Sequence, residues 1–188
     1  SQGQVFANIK PSGTRTFVGG TTPASMPSTF VNNTTLLTIE AAVLTGKTVT
    51  GNGNIAVTAL HLDLDADLSS IDNSGTRTAA FDDSGTFEGN LGSFTTTVAA
   101  TKTLTLTADR ANGKTINGDG KVIITAGGTT LDATLGGITT TESTYTGTND
   151  DTITGTLPAG GTCTIINSLI LGNSILNTNA IYKISADK

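Results

Sequence analysis

The chain repeats itself at an offset of 67 along its numbering, and this constrains its fold more than anything else in it. Residues 34–73 align with 101–140 without a gap. Gly46-Lys47-Thr48 matches Gly113-Lys114-Thr115, and Gly51 and Gly53 match Gly118 and Gly120. Leu37, Thr38 and Ala41 match Leu104, Thr105 and Ala108; Leu64-Asp65-Ala66 matches Leu131-Asp132-Ala133; Leu68 and Ile71 match Leu135 and Ile138. Ser12–Thr16 recurs as Ser74–Thr78 outside this block. The shared residues are turn glycines and alternate aliphatics, which are folding positions. Carboxylates mostly do not recur: Asp63 faces Thr130 and Asp67 faces Thr134. A repeat of this kind copies a scaffold.

What the scaffold is made of follows from its residues. Of 188 residues, 39 are Thr and 23 are Gly. Thr and Val are stiff at χ1 and suit a pleated surface, while Gly, Asn and Asp supply turns with positive φ. The chain reads as all-β, with short strands expected at 35–40, 47–51, 54–60, 62–68, 76–81, 86–88, 94–99 and 103–107, and again at 114–117, 121–126 and 129–135. Gly51-Asn52-Gly53 and Gly118-Asp119-Gly120 are read as turns between paired strands. Ala41–Leu44 is the one internal place where a helical turn is expected. The unit length, 67, divides into three turns of about 22, the coil length of a parallel β-solenoid. The alternative is a β-sandwich or jelly roll. The expected organisation is an N-terminal arm (1–33), a repeat-built domain (34–162, units 34–100 and 101–162) and aliphatic C-terminal strands forming a cap (163–188).

Composition also excludes classes. Net charge is −5, with 10 basic and 15 acidic residues, so no basic face is available for nucleic acid. No apolar run approaches the ~18 residues of a membrane-spanning helix. Cys163 is the lone cysteine, so no intrachain disulfide forms, and Thr162-Cys163-Thr164-Ile165 places it as a small buried residue. His61 is the lone histidine and stands far from Cys163 in sequence, so the two do not by themselves make a catalytic pair. The Thr-rich, Lys-poor, acidic composition points to secretion.

The pattern Leu-Thr-x-x-Ala, then Gly-Lys-Thr-Ile/Val-x-Gly-x-Gly, then Leu-Asp-Ala-x-Leu-x-x-Ile, resembles the tandem β-strand repeats of large secreted bacterial adhesin-like and surface-layer-like proteins. It is also similar to repeats in phage virion proteins. The resemblance covers about residues 34–140. It implies an extracellular or cell-surface location, or alternatively a virion, and a structural role. It carries no catalytic residues.

The densest acidic stretch is the first candidate site. Asp63, Asp65 and Asp67 would share one face if 62–68 is a strand, offering oxygen ligands for Ca²⁺. The other reading is a solvated polar face opposite Leu62, Leu64, Ala66 and Leu68. No other cofactor is indicated. Asp82-Asp83 with Glu88, and Asn149-Asp150-Asp151, read as turns. Adjacent residues of a strand point to opposite faces, so Asp82 and Asp83 are poorly placed for shared acid–base work. Gly118-Asp119-Gly120-Lys121 lacks the spacing of a phosphate loop. Asn32 and Asn33 head overlapping glycosylation sequons. Thr-x-Thr triplets raise the idea of an ice-binding ladder, but they fall at irregular spacing, at 14–16, 48–50, 76–78, 152–154 and 162–164.

The two ends are unlike. Residues 1–33 hold three of the four prolines, and Val5, Ala7 and Ile9 alternate with Phe6 in a strand-like piece. Residues 163–184 are rich in aliphatics, among them Ile175, Leu176 and Ile181, with Tyr182 beside them. The expected function is a non-enzymatic structural subunit of an extracellular filament, sheath or surface array. It would assemble with itself head to tail, with the N-terminal arm, about 1–33, adding to an edge strand of the next subunit and residues 163–184 helping to line the receiving surface. The alternative is an adhesin or phage receptor-binding or decoration module that recognises carbohydrate or another coat protein.

Overall fold

The computed structural model describes residues 15–17, 29–31, 36–125, 130–147, 151–166, 169–175 and 179–185. In chain order the strands are β1 (Arg15–Phe17), β2 (Thr29–Val31), β3 (Leu36–Glu40), β4 (Val49–Gly51), β5 (Asn54–Thr58), β6 (Ile71–Asn73), β7 (Arg77–Phe81), β8 (Gly85–Thr86) and β9 (Thr95–Val98). They continue as β10 (Thr103–Thr107), β11 (Thr115–Asn117), β12 (Lys121–Thr125), β13 (Thr130–Thr134), β14 (Glu142–Thr146), β15 (Asp151–Thr156), β16 (Thr162–Ile166), β17 (Leu169–Ile175) and β18 (Ile181–Ser185). Single helical turns stand at α1 (Ala41–Leu44) and α2 (Ala108–Ala111), with a 3₁₀ turn at Leu60–Leu62.

The fold is a parallel β-solenoid. A first sheet runs β1-β3-β5-β7-β9-β11, a second β8-β10-β12-β14-β16-β18, a third β13-β15-β17 and a fourth β2-β4-β6. Every pairing between these strands is parallel and joins neighbouring coils. A sandwich or jelly roll is built from antiparallel pairs, so that alternative falls. Coil length is uneven. Along the first sheet Leu36 pairs with Asn54, Ile55 with Arg77, Thr78 with Thr95 and Thr95 with Thr115. The steps from β1 to β3 and from β5 to β7 are equally long, and the step from β7 to β9 is the shortest.

The alternation of the strands explains the core. In Thr103–Thr107, Leu104 and Leu106 are fully buried and the threonines stand on the outer face. In-register pairing then aligns like with like through successive coils. Ile39, Val57, Ala79, Thr96 and Ile116 form one buried column, and a bridge extends it to Ile138. Leu106, Ile124, Tyr145 and Ile165 form another.

The repeat is visible in the backbone. Leu36–Glu40 and Thr103–Thr107 are both strands, and each leads into a short helical turn, α1 or α2. Gly46 and Gly113 have φ of 63° and 67°; Gly51 and Gly118 have 113° and 109°. At Gly118 a side chain is also barred sterically, because a Cβ would collide with the Val98 carbonyl oxygen of the neighbouring coil. Sequence counterparts do not stack on one another, however. β3, β5, β7 and β9 lie in the first sheet; their counterparts β10, β12, β14 and β16 lie in the second. β8 lies in the second and its counterpart β15 in the third, while β4 lies in the fourth and β11 in the first. Each repeat unit thus advances the chain by one sheet rather than closing whole turns.

Three local expectations are corrected. Residues 62–68 are not a strand: Ala59 sits at φ 54°, Leu60–Leu62 form the 3₁₀ turn, and only an isolated bridge at Asp67 pairs with Asn90. The Gly51–Gly53 and Gly118–Gly120 turns are corners, not hairpins, since β4 and β5 belong to different sheets, as do β11 and β12. The helical turn at Ala41–Leu44 has a second copy at Ala108–Ala111. β1 and β2 fall within 1–33 and are the first described rungs of their sheets, and β16 to β18 continue the ladders through 163–185.

Candidate functional site

The charged side chains of the first coils meet around the corner that follows β7. His61, on the 3₁₀ turn, contacts the Asp82 carboxylate through Nδ1. Asp83 has other partners: it accepts from Lys102 Nζ at 3.0 Å and from the Ser84 N–H at 2.8 Å. The Lys102 ammonium, with the Ser84 N–H, holds the Asp83 carboxyl below the ordinary range. The two adjacent aspartates therefore serve different partners. Glu88 is exposed. Asn149 and Asp150 lie outside the described residues, and Asp151 opens β15.

Asp63, Asp65 and Asp67 do not share a strand face, because the strand is absent. Partial burial, reinforced by Asp65 nearby, pushes the Asp63 carboxyl up. Asp67 is tied into the coil stack. Its Oδ1 accepts from the Ser69 N–H at 3.0 Å, its own N–H donates to Thr45 Oγ1 at 2.8 Å, and its carbonyl accepts from the Gly46 N–H at 2.9 Å. The Ser69 bonds pull the Asp67 carboxyl down. Among the described residues no three His, Cys, Asp or Glu side chains gather as a cation site. Leu62 is turned outward at 73% exposure, whereas Ala66 and Leu68 are buried.

Basic side chains are used largely as staples between coils. Arg110 Nη1 donates to the Gly89 carbonyl at 2.6 Å, and Lys114 Nζ donates to the Gly92 carbonyl at 2.7 Å. Neither these bonds nor the His61–Asp82 and Lys102–Asp83 contacts are legible in the sequence pattern. The separation of Asp83 and Lys102 is close to one coil length, and that is the only signal that could have found the pair. Cys163 is buried and faces Ser143 and Tyr182 in the register of the second sheet. Burial pushes its thiol up, with Ser143 acting in the opposite sense.

On the outer face of the second sheet Thr107, Thr125 and Thr146 stack over three coils, ended by Ile166, and the neighbouring columns are broken. Thr103 pairs with Lys121, Lys121 with Glu142 and Glu142 with Thr162, while Ile123 stands between Thr105 and Thr144.

Of the residues expected at an assembly interface, Ile175, Ile181 and Tyr182 are among the described ones. Val5, Phe6, Ala7, Ile9 and Leu176 lie outside the described residues, as do Asn32 and Asn33. Ile175 ends β17. Ile181, the first residue of β18, is 64% exposed. Tyr182 is half-buried against the core, and its hydroxyl donates to the Pro158 carbonyl at 2.8 Å. At the two ends of the stack, β1 and β2 pair only with β3 and β4, and β17 and β18 only with β15 and β16, among the described residues. No described helix is long and apolar enough to cross a membrane. No family model matches the chain, and searches of curated proteins and of solved structures find no match.

Proposed function

We propose that the chain is a non-enzymatic structural subunit of an extracellular filament, sheath or surface array that assembles with itself head to tail. One observation carries the reading: among the described residues the outermost strands of the stack, β1 and β2 at one end and β17 and β18 at the other, pair on one side only. Such edges are templates for another strand, and contact between two different ends propagates into a filament. The repeat supports the same reading, since it preserves core and turn positions and varies the charged ones. So does the resemblance to tandem repeats of secreted bacterial surface proteins, which favours the cell surface, or alternatively a virion.

The test is negative-stain microscopy with sedimentation over a range of concentrations. Filaments or ordered arrays are expected, and particles that stay monomeric at high concentration overturn the reading. Removing residues 1–31, and with them β1 and β2, is expected to leave a folded, β-rich protein that no longer assembles.

A second reading, a module that recognises carbohydrate or another coat protein, is favoured by the outer face of the second sheet. A cleft of about 310 Å³ there is lined by Lys102, Asp119, Lys121 and Glu142 together with threonine hydroxyls. Binding on a glycan array without self-assembly would favour it over the first.

A further inference from the structure

The stepwise advance of the repeat bears on how copies would stack. Three successive units each contain a strand at the same repeat position: β3 at 36–40, β10 at 103–107 and β17 at 169–175. They lie in the first, second and third sheets. The strand that follows in each unit behaves alike: β4 lies in the fourth sheet, β11 in the first and β18 in the second. β17 and β18 therefore stand at the repeat positions of β3 and β4, two sheet steps on.

We propose, resting on the filament reading, that a second copy of this chain continues the stack by seating its β1 on β17 and its β2 on β18. Both pairings follow from the same two-step advance: first sheet onto third, and fourth sheet onto second. Both are parallel, as every ladder within the chain is, so the incoming copy needs no pairing chemistry that the chain does not already use. Ile181, a large aliphatic exposed at the start of β18, is covered by this contact. Each copy is then rotated against the last by the angle that carries the first sheet onto the third.

The register can be read with cysteine pairs, because neighbouring strands place Cα atoms within disulfide range. Thr29→Cys with Ile181→Cys in one chain is expected to give a ladder of cross-linked oligomers under mild oxidation, lost on reduction. The native Cys163 is buried and does not compete. Arg15→Cys with Ile181→Cys reports a one-step advance, and Thr29→Cys with Leu169→Cys reports β2 seated on β17. A ladder from either of these, and none from the first pair, overturns the two-step register and leaves the filament reading standing. Helical reconstruction of wild-type filaments gives an independent readout: a rotation that does not carry the first sheet of one copy onto the third sheet of the last overturns the register in the same way. Protein that stays monomeric, with no ladder from any pair, overturns both.

Discussion

The hydroxyl of Tyr182 donates to the carbonyl of Pro158 at 2.8 Å, tying the last described strand to the preceding coil. Tyr182 turns back against the core, while Ile181 and Lys183 beside it are exposed. Removing the hydroxyl leaves the ring in place and the carbonyl without this donor. Tyr182→Phe is expected to lower stability by about 1 kcal/mol. Hydrogen exchange should localise the loss: amides of β18 exchange faster and those of β10 and β12 are unchanged.

Thr96 gives the opposite sign. It occupies the buried column between Ala79 and Ile116, and its hydroxyl has no partner among the described residues. Valine has nearly the same shape without the polar atom. Thr96→Val is expected to raise stability by about 1 kcal/mol, measured as a higher urea midpoint at unchanged slope.

Two glycines with positive φ separate strain from collision. Gly113, at φ 67°, has nothing within 4 Å of where a Cβ would sit. Gly113→Ala should cost about 1–2 kcal/mol, the left-handed penalty alone. Gly118, at φ 109°, adds a clash with the backbone of the neighbouring coil. Gly118→Ala should cost at least about 3 kcal/mol and broaden the amide resonances of Thr97 and Val98. Equal midpoints for the two variants would contradict this account of the corner.

Acid dependence should split between two aspartates. The folded-state pKa of Asp83 is depressed by Lys102. Its contribution is therefore present above the unfolded-state value and is lost as pH falls through the folded one, below about pH 4. Asp63 is raised by burial and by Asp65. Its effect is the reverse: stability is greatest below the unfolded-state value and falls as pH rises through the folded one. Asp83→Asn is expected to flatten the acid limb of the midpoint–pH curve with little change at neutral pH, since the pair is exposed. Asp63→Asn is expected to raise the neutral-pH midpoint. Urea titrations across the carboxylate range check both.

How much is legible in the sequence follows from which physical signal each element uses. Strands such as Thr103–Thr107 and Lys121–Thr125 alternate cleanly, and every second residue is buried, so pattern alone locates them. Residues 62–68 alternate equally well and are not a strand. There the 3₁₀ turn at Leu60–Leu62 consumes the length a strand would need. In the second unit Gly127 and Gly128 precede β13 instead, and residues 130–134 are extended. α2 escapes the pattern because Asp109 and Arg110 replace the apolar Ala42 and Val43 of its counterpart. The contacts of His61 with Asp82 and of Lys102 with Asp83 depend on coil register. Coil length differs from one pair of strands to the next, as the Ile55–Arg77 and Thr78–Thr95 pairings show, so spacing in sequence does not fix which charges meet.

The one-sheet advance of each unit has a consequence for how such a chain can diversify by duplication. Had the unit closed whole turns, copying it would set the same outward residue in a line along one flank. Because counterparts such as Thr38 and Thr105 fall in different sheets, each added copy shows that residue to a new direction around the axis. A feature present in one unit is thereby displayed toward a further flank with every copy, and lateral neighbours could engage it from more than one side.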